Sequence, residues 1–162
     1  MLTVPENNQW ATMLYPATDA AGRTSSYFSL KDVKGKAYVR VDITQGNAAT
    51  VALTLTQATT VAGGSAKALS ATTRLWVTED AATAATALPA RTTDAASTFT
   101  TSAALANKSV IIEVDPATLD VAGGFDCIAV TTGASNAANI TSASLLIPTK
   151  YGQSTQRSPR TN

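Results

Sequence analysis

Tyr38-Val-Arg-Val-Asp-Ile-Thr44, then Gln45-Gly-Asn47, then Val51-Ala-Leu-Thr-Leu-Thr56 is the stretch that decides the fold. Val39, Val41 and Ile43 alternate with Arg40, Asp42 and Thr44 in the first run. In the second, Val51, Leu53 and Leu55 alternate with Ala52, Thr54 and Thr56. A period of two sends successive side chains to opposite faces of an extended chain, the pattern of a half-buried strand. With Gln45-Gly-Asn47 as a turn, the two runs read as an antiparallel hairpin.

The same pattern recurs on both sides. Ser26–Leu30 is a weak strand closed by the Lys31–Lys36 turn, and Leu75 and Val77 mark another, with Trp76 on its opposite face. A strand follows near Phe99; then Val110, Ile112 and Val114 alternate with Ile111 and Glu113. Phe125–Thr132 places Phe125, Cys127 and Ala129 on one face and Ile128 and Val130 on the other, and Ile140–Ile147 is the last strand before Pro148. Turns fall between them at Val61-Ala-Gly-Gly64, Asp115–Asp120, Gly123-Gly124 and Gly133–Asn136. Pro116 suits the first position of a helical turn. The Ala- and Thr-rich segment Glu79–Ser97, broken by Pro89, reads as a long loop. The second Val-Ala-Gly-Gly, at residues 121–124, reads as coincidence in an Ala-rich chain rather than as a repeat.

About eight short strands at turn-punctuated intervals predict an all-β chain, an antiparallel β-sandwich that is jelly-roll-like. Residues 1–24 carry prolines and exposed-looking aromatics without periodicity and read as an N-terminal arm. Residues 25–148 are the sandwich, and 149–162, with Lys150, Arg157 and Arg160 and no acid, read as a C-terminal tail. Extended arms at both ends complete that picture.

Composition narrows the function. A chain of 162 residues fits one domain with a core. It is 44% hydrophobic and only 14% charged, against roughly 25% charged in an average domain. Ala and Thr together make up roughly a third of it, well above ordinary usage. Low charge means weak self-repulsion and a surface that tolerates close neighbours. A net charge of +1 supplies no field to draw in nucleic acid or an anionic membrane. The N-terminal residues lack the basic and apolar regions of a signal peptide, and no apolar run approaches the roughly 18 residues of a membrane span. Synthesis in the cytosol, with retention there or assembly into something larger, is the corresponding expectation.

The chain has no histidine, which removes Ser-His-Asp triads, Cys-His pairs and imidazole zinc sites. Ala62-Gly-Gly-Ser-Ala-Lys67 lacks the Gly-Lys-Ser/Thr ending of a phosphate loop. The acids Glu113, Asp115, Asp120 and Asp126 match no calcium-loop spacing; nothing selects two of them as a glycosidase pair. Asp115 and Asp120 read as turn caps. Cys127, the single cysteine, reads as buried and structural. No enzyme, cofactor or metal is expected. The aromatics Trp10, Tyr15, Tyr27, Trp76 and Tyr151 stand in arms or opposite the apolar strand positions. Such residues are enriched at interface hot spots, so these are the interface candidates. A core position for Trp76 under the Ala-Thr loop is the alternative.

Leu75-Trp-Val-Thr-Glu-Asp-Ala81, Ala90-Arg-Thr-Thr-Asp-Ala-Ala96 and Asn107-Lys-Ser-Val-Ile-Ile-Glu-Val114 resemble small capsid proteins of tailed bacteriophages. Leu119-Asp-Val-Ala-Gly-Gly-Phe-Asp-Cys-Ile128 and Gly133-Ala-Ser-Asn-Ala-Ala-Asn-Ile140 are similar to the same group, the head decoration or cement proteins. The resemblance spans residues 36–152. It implies a β-sandwich on the outside of the virion capsid that bridges neighbouring major capsid protein subunits and associates with itself as a dimer or trimer. No single residue's role transfers with it. The alternatives are another virion part (tail tube, head completion or fibre base) and a carbohydrate-binding β-sandwich with the aromatics as its platform.

Overall fold

Alternation becomes strand along most of the chain. The computed structural model describes residues 7–31, 33, 35–70, 74–79, 90–91 (backbone) and 97–148. Its strands are β1 (Asn8–Thr18), β2 (Arg23–Thr24), β3 (Phe28–Ser29), β4 (Ala37–Gln45), β5 (Ala52–Ala58) and β6 (Lys67–Ala68). They continue with β7 (Arg74–Thr78), β8 (Ala90–Arg91), β9 (Thr98–Thr100), β10 (Asn107–Val114), β11 (Cys127–Thr132) and β12 (Asn139–Pro148). Among the described residues, twelve segments thus stand where about eight were expected. The surplus comes from β1 and from two-residue strands too short to show a period.

The strands form two sheets, and every pairing in them is antiparallel. The first sheet has the order β1-β12-β4-β10-β7-β8. The second has the order β2-β11-β5-β6, with β3 also on β11 and β9 also on β5. Val39, Val41 and Val110 of the first sheet and Leu53, Leu55 and Val130 of the second are fully buried in one cluster between them. Burying each such side chain stabilises the fold by about 2 kcal/mol.

The hairpin expected from residues 39–56 does not form. β4 pairs with β10 and β12, whereas β5 pairs with β6, β9 and β11 in the other sheet. The two strands face each other across the core, an arrangement that satisfies the same alternation. The corner between them is fixed by buried amides. Gln45 donates from Nε2 to Ala49 O at 2.8 Å, and Asn139 accepts from Asn47 N at 2.9 Å. Gly46 is required there because a Cβ would stand 2.6 Å from Ala138 O.

The described part of the expected N-terminal arm is likewise not an arm. Asn8–Thr18 is an edge strand along β12, and Arg23–Thr24 joins the second sheet. Register shifts between Thr12 and Leu14 and between Leu14 and Ala17 break its period, as bulges do. Met13 and Leu14 still reach the core. The tail, 149–162, and most of the loop expected over 79–97 lie outside the described residues.

Other expectations hold. Pro116–Thr118 is a 3₁₀ turn with Pro at its start, and Asp115 caps it by accepting from Ala117 N at 3.0 Å. Asp120 caps the next turn, Val121–Gly123, accepting from Gly123 N at 3.0 Å. Cys127 is buried, and its Sγ donates to Asp126 Oδ1 at 3.0 Å. Lys108, inward-facing on β10, is buried. Its ammonium donates to Gln45 Oε1 and, at 2.6 Å, to Ala104 O.

Candidate interface on the outer face of the first sheet

In an antiparallel pair, residues directly opposite each other project to the same face. Ala37, Val39, Val41 and Ile43 of β4 point into the core, so Tyr38, Arg40, Asp42 and Thr44 point outward. Following the register from Tyr38 gives Leu146 on β12 and then Trp10 on β1. In the other direction it gives Glu113 on β10 and Arg74 on β7. The next row, two residues along, runs Thr12, Ser144, Arg40, Ile111 and Trp76.

Trp10, Leu146, Tyr38, Ile111 and Trp76 therefore share one outer face, in two adjacent rows. Strand spacing of about 4.8 Å places Trp10 roughly 10 Å from Tyr38. Trp10 is 51% exposed; Leu146, Tyr38, Ile111 and Trp76 are half-buried. Large apolar side chains lying side by side on a solvent face differ from singly scattered ones, and make this face the candidate interaction surface.

The described side chains on this face include three cations, Lys36, Arg40 and Arg74, and two anions, Asp42 and Glu113. Lys36 donates to Glu113, and Arg74 Nη1 lies 4.0 Å from the same carboxylate. Arg40 Nε stands 3.0 Å from Asp42 Oδ2. Beyond Asp42 the face holds a shallow open depression of ≈ 290 Å³, bounded by Pro16, Arg40, Asp42, Asn107, Ile140 and Ser142 among others.

Of the interface candidates, the structure brings Trp10 and Trp76 onto this one face. Tyr15 is 77% exposed on β1, in the bulged half of the strand. Tyr27 stands elsewhere: its hydroxyl accepts from Thr56 Oγ1 at 3.2 Å, on the outer side of the second sheet. Tyr151 lies outside the described residues. Tyr38, Leu146 and Ile111 were not anticipated. Each looks like an ordinary outward strand position until the register of neighbouring strands aligns it with the tryptophans.

The four acids do not converge. Glu113 serves Lys36 and Arg74, Asp115 and Asp120 cap turns, and Asp126 receives the Cys127 thiol. Lys67 bonds Asp120 Oδ2 at 2.5 Å and lies 4.1 Å from the centroid of the Phe125 ring. The Lys67 hydrogen bond first, and then the Gly123 amide, hold the Asp120 carboxyl below the usual carboxylate pKa, against a smaller opposing effect of burial. Among the described residues, no group of three or more His, Cys, Asp or Glu side chains could hold a metal ion.

No family model matches the chain, and no curated protein does. Among solved structures it is similar to a chain of "Structure of infectious bursal disease virus Gx strain", at 11% identity and a TM-score of 0.25. The similarity covers 90% of this chain and 43% of that one, so this chain spans less than half of that length. A likeness this slight carries no argument.

Proposed function

We propose that this chain is a virion structural protein that binds the outside of a capsid shell through the outer face of its first sheet and bridges neighbouring capsid subunits. The observation that carries the reading is the shared face of Trp10, Leu146, Tyr38, Ile111 and Trp76. A protein of this size normally buries such side chains unless a partner covers them.

The strand order supports a jelly roll. β1 pairs with β12, β2 with β11, β4 with β10 and β5 with β9, a nested series that alternates between the two sheets. This is the winding of one long hairpin rolled into a sandwich; β7 and β8 extend the first sheet beyond β10. Jelly rolls are frequent among viral capsid and lectin domains, which agrees with the resemblance of residues 36–152 to phage decoration proteins. A domain that binds only the assembled shell stabilises it by linkage, and many symmetric copies multiply the effect.

Co-sedimentation of the purified protein with shells that lack it tests the reading. The wild type is expected to pellet with the shells. Trp10→Ser and Tyr38→Ser, each checked for an unchanged far-ultraviolet circular dichroism spectrum, are expected to stay largely in the supernatant. Unimpaired binding by both folded variants would remove the outer face from the interaction.

A further inference from the structure

We infer that the capsid surface meeting this outer face is acidic, with a cluster of Asp and Glu side chains set against its β7 side, so that salt weakens attachment; the inference rests on the docking reading above. It follows from an excess of cations. Among the described side chains, Lys36, Arg40 and Arg74 have only Asp42 and Glu113 to answer them on this face. Arg91 of β8 adds a further cation position, since it pairs with Trp76 in register and opposite residues share a face.

Exposure sharpens the imbalance. Glu113 is 10% exposed, against 37% for Lys36 and 49% for Arg74, so the anion is sheltered while the cations reach solvent. One carboxylate does not serve both cations equally. Lys36 donates to Glu113 Oε1, whereas Arg74 Nη1 lies 4.0 Å from the same atom, beyond hydrogen-bond reach. Arg40 and Asp42, side by side on β4, cancel one another. The surplus therefore lies around Trp76. Arg74 stands two residues along β7 on the same face, about 7 Å away, and Arg91 is directly across on β8. A tryptophan bracketed by two arginine positions suits carboxylates, which guanidinium groups take up through paired N–H donors.

The rest of the face favours a protein surface over nucleic acid. β1 and β12, which contribute Trp10 and Leu146, contain no charged residue, and Asp42 on the central strand β4 is 44% exposed. A run of phosphates would meet cations on one side of the sheet only, with an exposed carboxylate between. An acidic cluster beside an apolar patch matches both halves of the face.

The experiment is a binding isotherm of the full-length protein on shells that lack it, at about 50 and about 500 mM NaCl. Affinity is expected to fall about tenfold or more at the higher salt, because screening weakens attraction between exposed opposite charges. A fall of less than about threefold would overturn the inference while leaving the docking reading in place. No binding at either salt would remove the docking reading, and this inference with it. Two substitutions, each checked for an unchanged circular dichroism spectrum, give the sign of the partner's charge. At the lower salt Arg74→Gln is expected to weaken binding about fivefold or more. Glu113→Gln removes the sheltered anion at nearly constant shape and is expected to tighten binding about threefold. Unchanged affinity in folded Arg74→Gln, or weaker binding by folded Glu113→Gln, would contradict an acidic partner. Displacement from the shells by a single-stranded oligodeoxynucleotide would assign the cations to phosphate and overturn the inference.

Discussion

The Arg23 guanidinium meets the Asp19 carboxylate at 3.1 Å, and the pair ties the two sheets together at one corner. Arg23 sits on β2 of the second sheet, yet it donates to Tyr15 O and Ala17 O on β1 and to Thr141 O on β12 of the first. Asp19, fully buried, also accepts from Thr132 on β11, at 2.8 Å, and from Thr141. Breaking a buried pair from one side leaves an uncompensated charge and costs about 3–5 kcal/mol. Arg23→Ala is therefore expected to lower unfolding stability by about 3 kcal/mol in urea titration. A loss below about 1 kcal/mol would show that the corner is held by the hydroxyls alone.

Gly22 closes the turn that delivers Arg23 to this corner. It has φ +70°, and a Cβ there would stand 2.6 Å from the Thr132 carbonyl oxygen. Gly22→Ala adds both a left-handed backbone penalty and a clash with backbone, for an expected cost of about 2 kcal/mol. Thermal unfolding reads this as a fall in Tm of roughly 5 °C or more. An unchanged Tm would mean that the turn relaxes freely.

Acid should loosen the Lys67–Asp120 contact. The acidity of Asp120 is stronger in the folded state than the ordinary value of 3.8. A group with a depressed folded value contributes stability above its unfolded value and loses it as pH falls through the folded one. The difference in urea midpoint between wild type and Asp120→Asn is thus expected at pH 7, to shrink below about pH 4, and to vanish once both states are protonated. A difference that stays constant with pH would assign the effect to the turn cap rather than to the carboxylate charge.

Trp10 offers an optical test of docking. The chain has two tryptophans, so Trp76→Phe leaves Trp10 as the sole reporter, about half exposed. Its emission is expected near that of a solvated indole in the free protein and to move to shorter wavelength on shells. Emission unchanged by saturating shells would place Trp10 outside the contact.

How much of this was legible in the sequence differs from one element to another. Val39–Ile43 and Val51–Leu55 announced their buried faces. Alternation reports which face is buried and not which strand is hydrogen-bonded, so a sandwich pair was indistinguishable from a hairpin. β1 was opaque because its bulges interrupt the period around Leu14. Lys108 disguised the start of β10, since a buried lysine reads as a surface position. The capping roles of Asp115 and Asp120 were readable because caps are local. The Arg23–Asp19 corner, which ties β1 and β2 to β11 and β12 more than a hundred residues further on, left no local signal. The interface lay between these extremes: Trp10 and Trp76 drew attention by residue type, while Tyr38, Leu146 and Ile111 joined them only through cross-strand register.

The central claim, that this chain coats a capsid shell, is tested most directly by quantitative mass spectrometry of purified virions, counting it against the major capsid protein. The account predicts near-stoichiometric abundance with the shell subunits. Absence from the particle, or only a few copies in each, would contradict it.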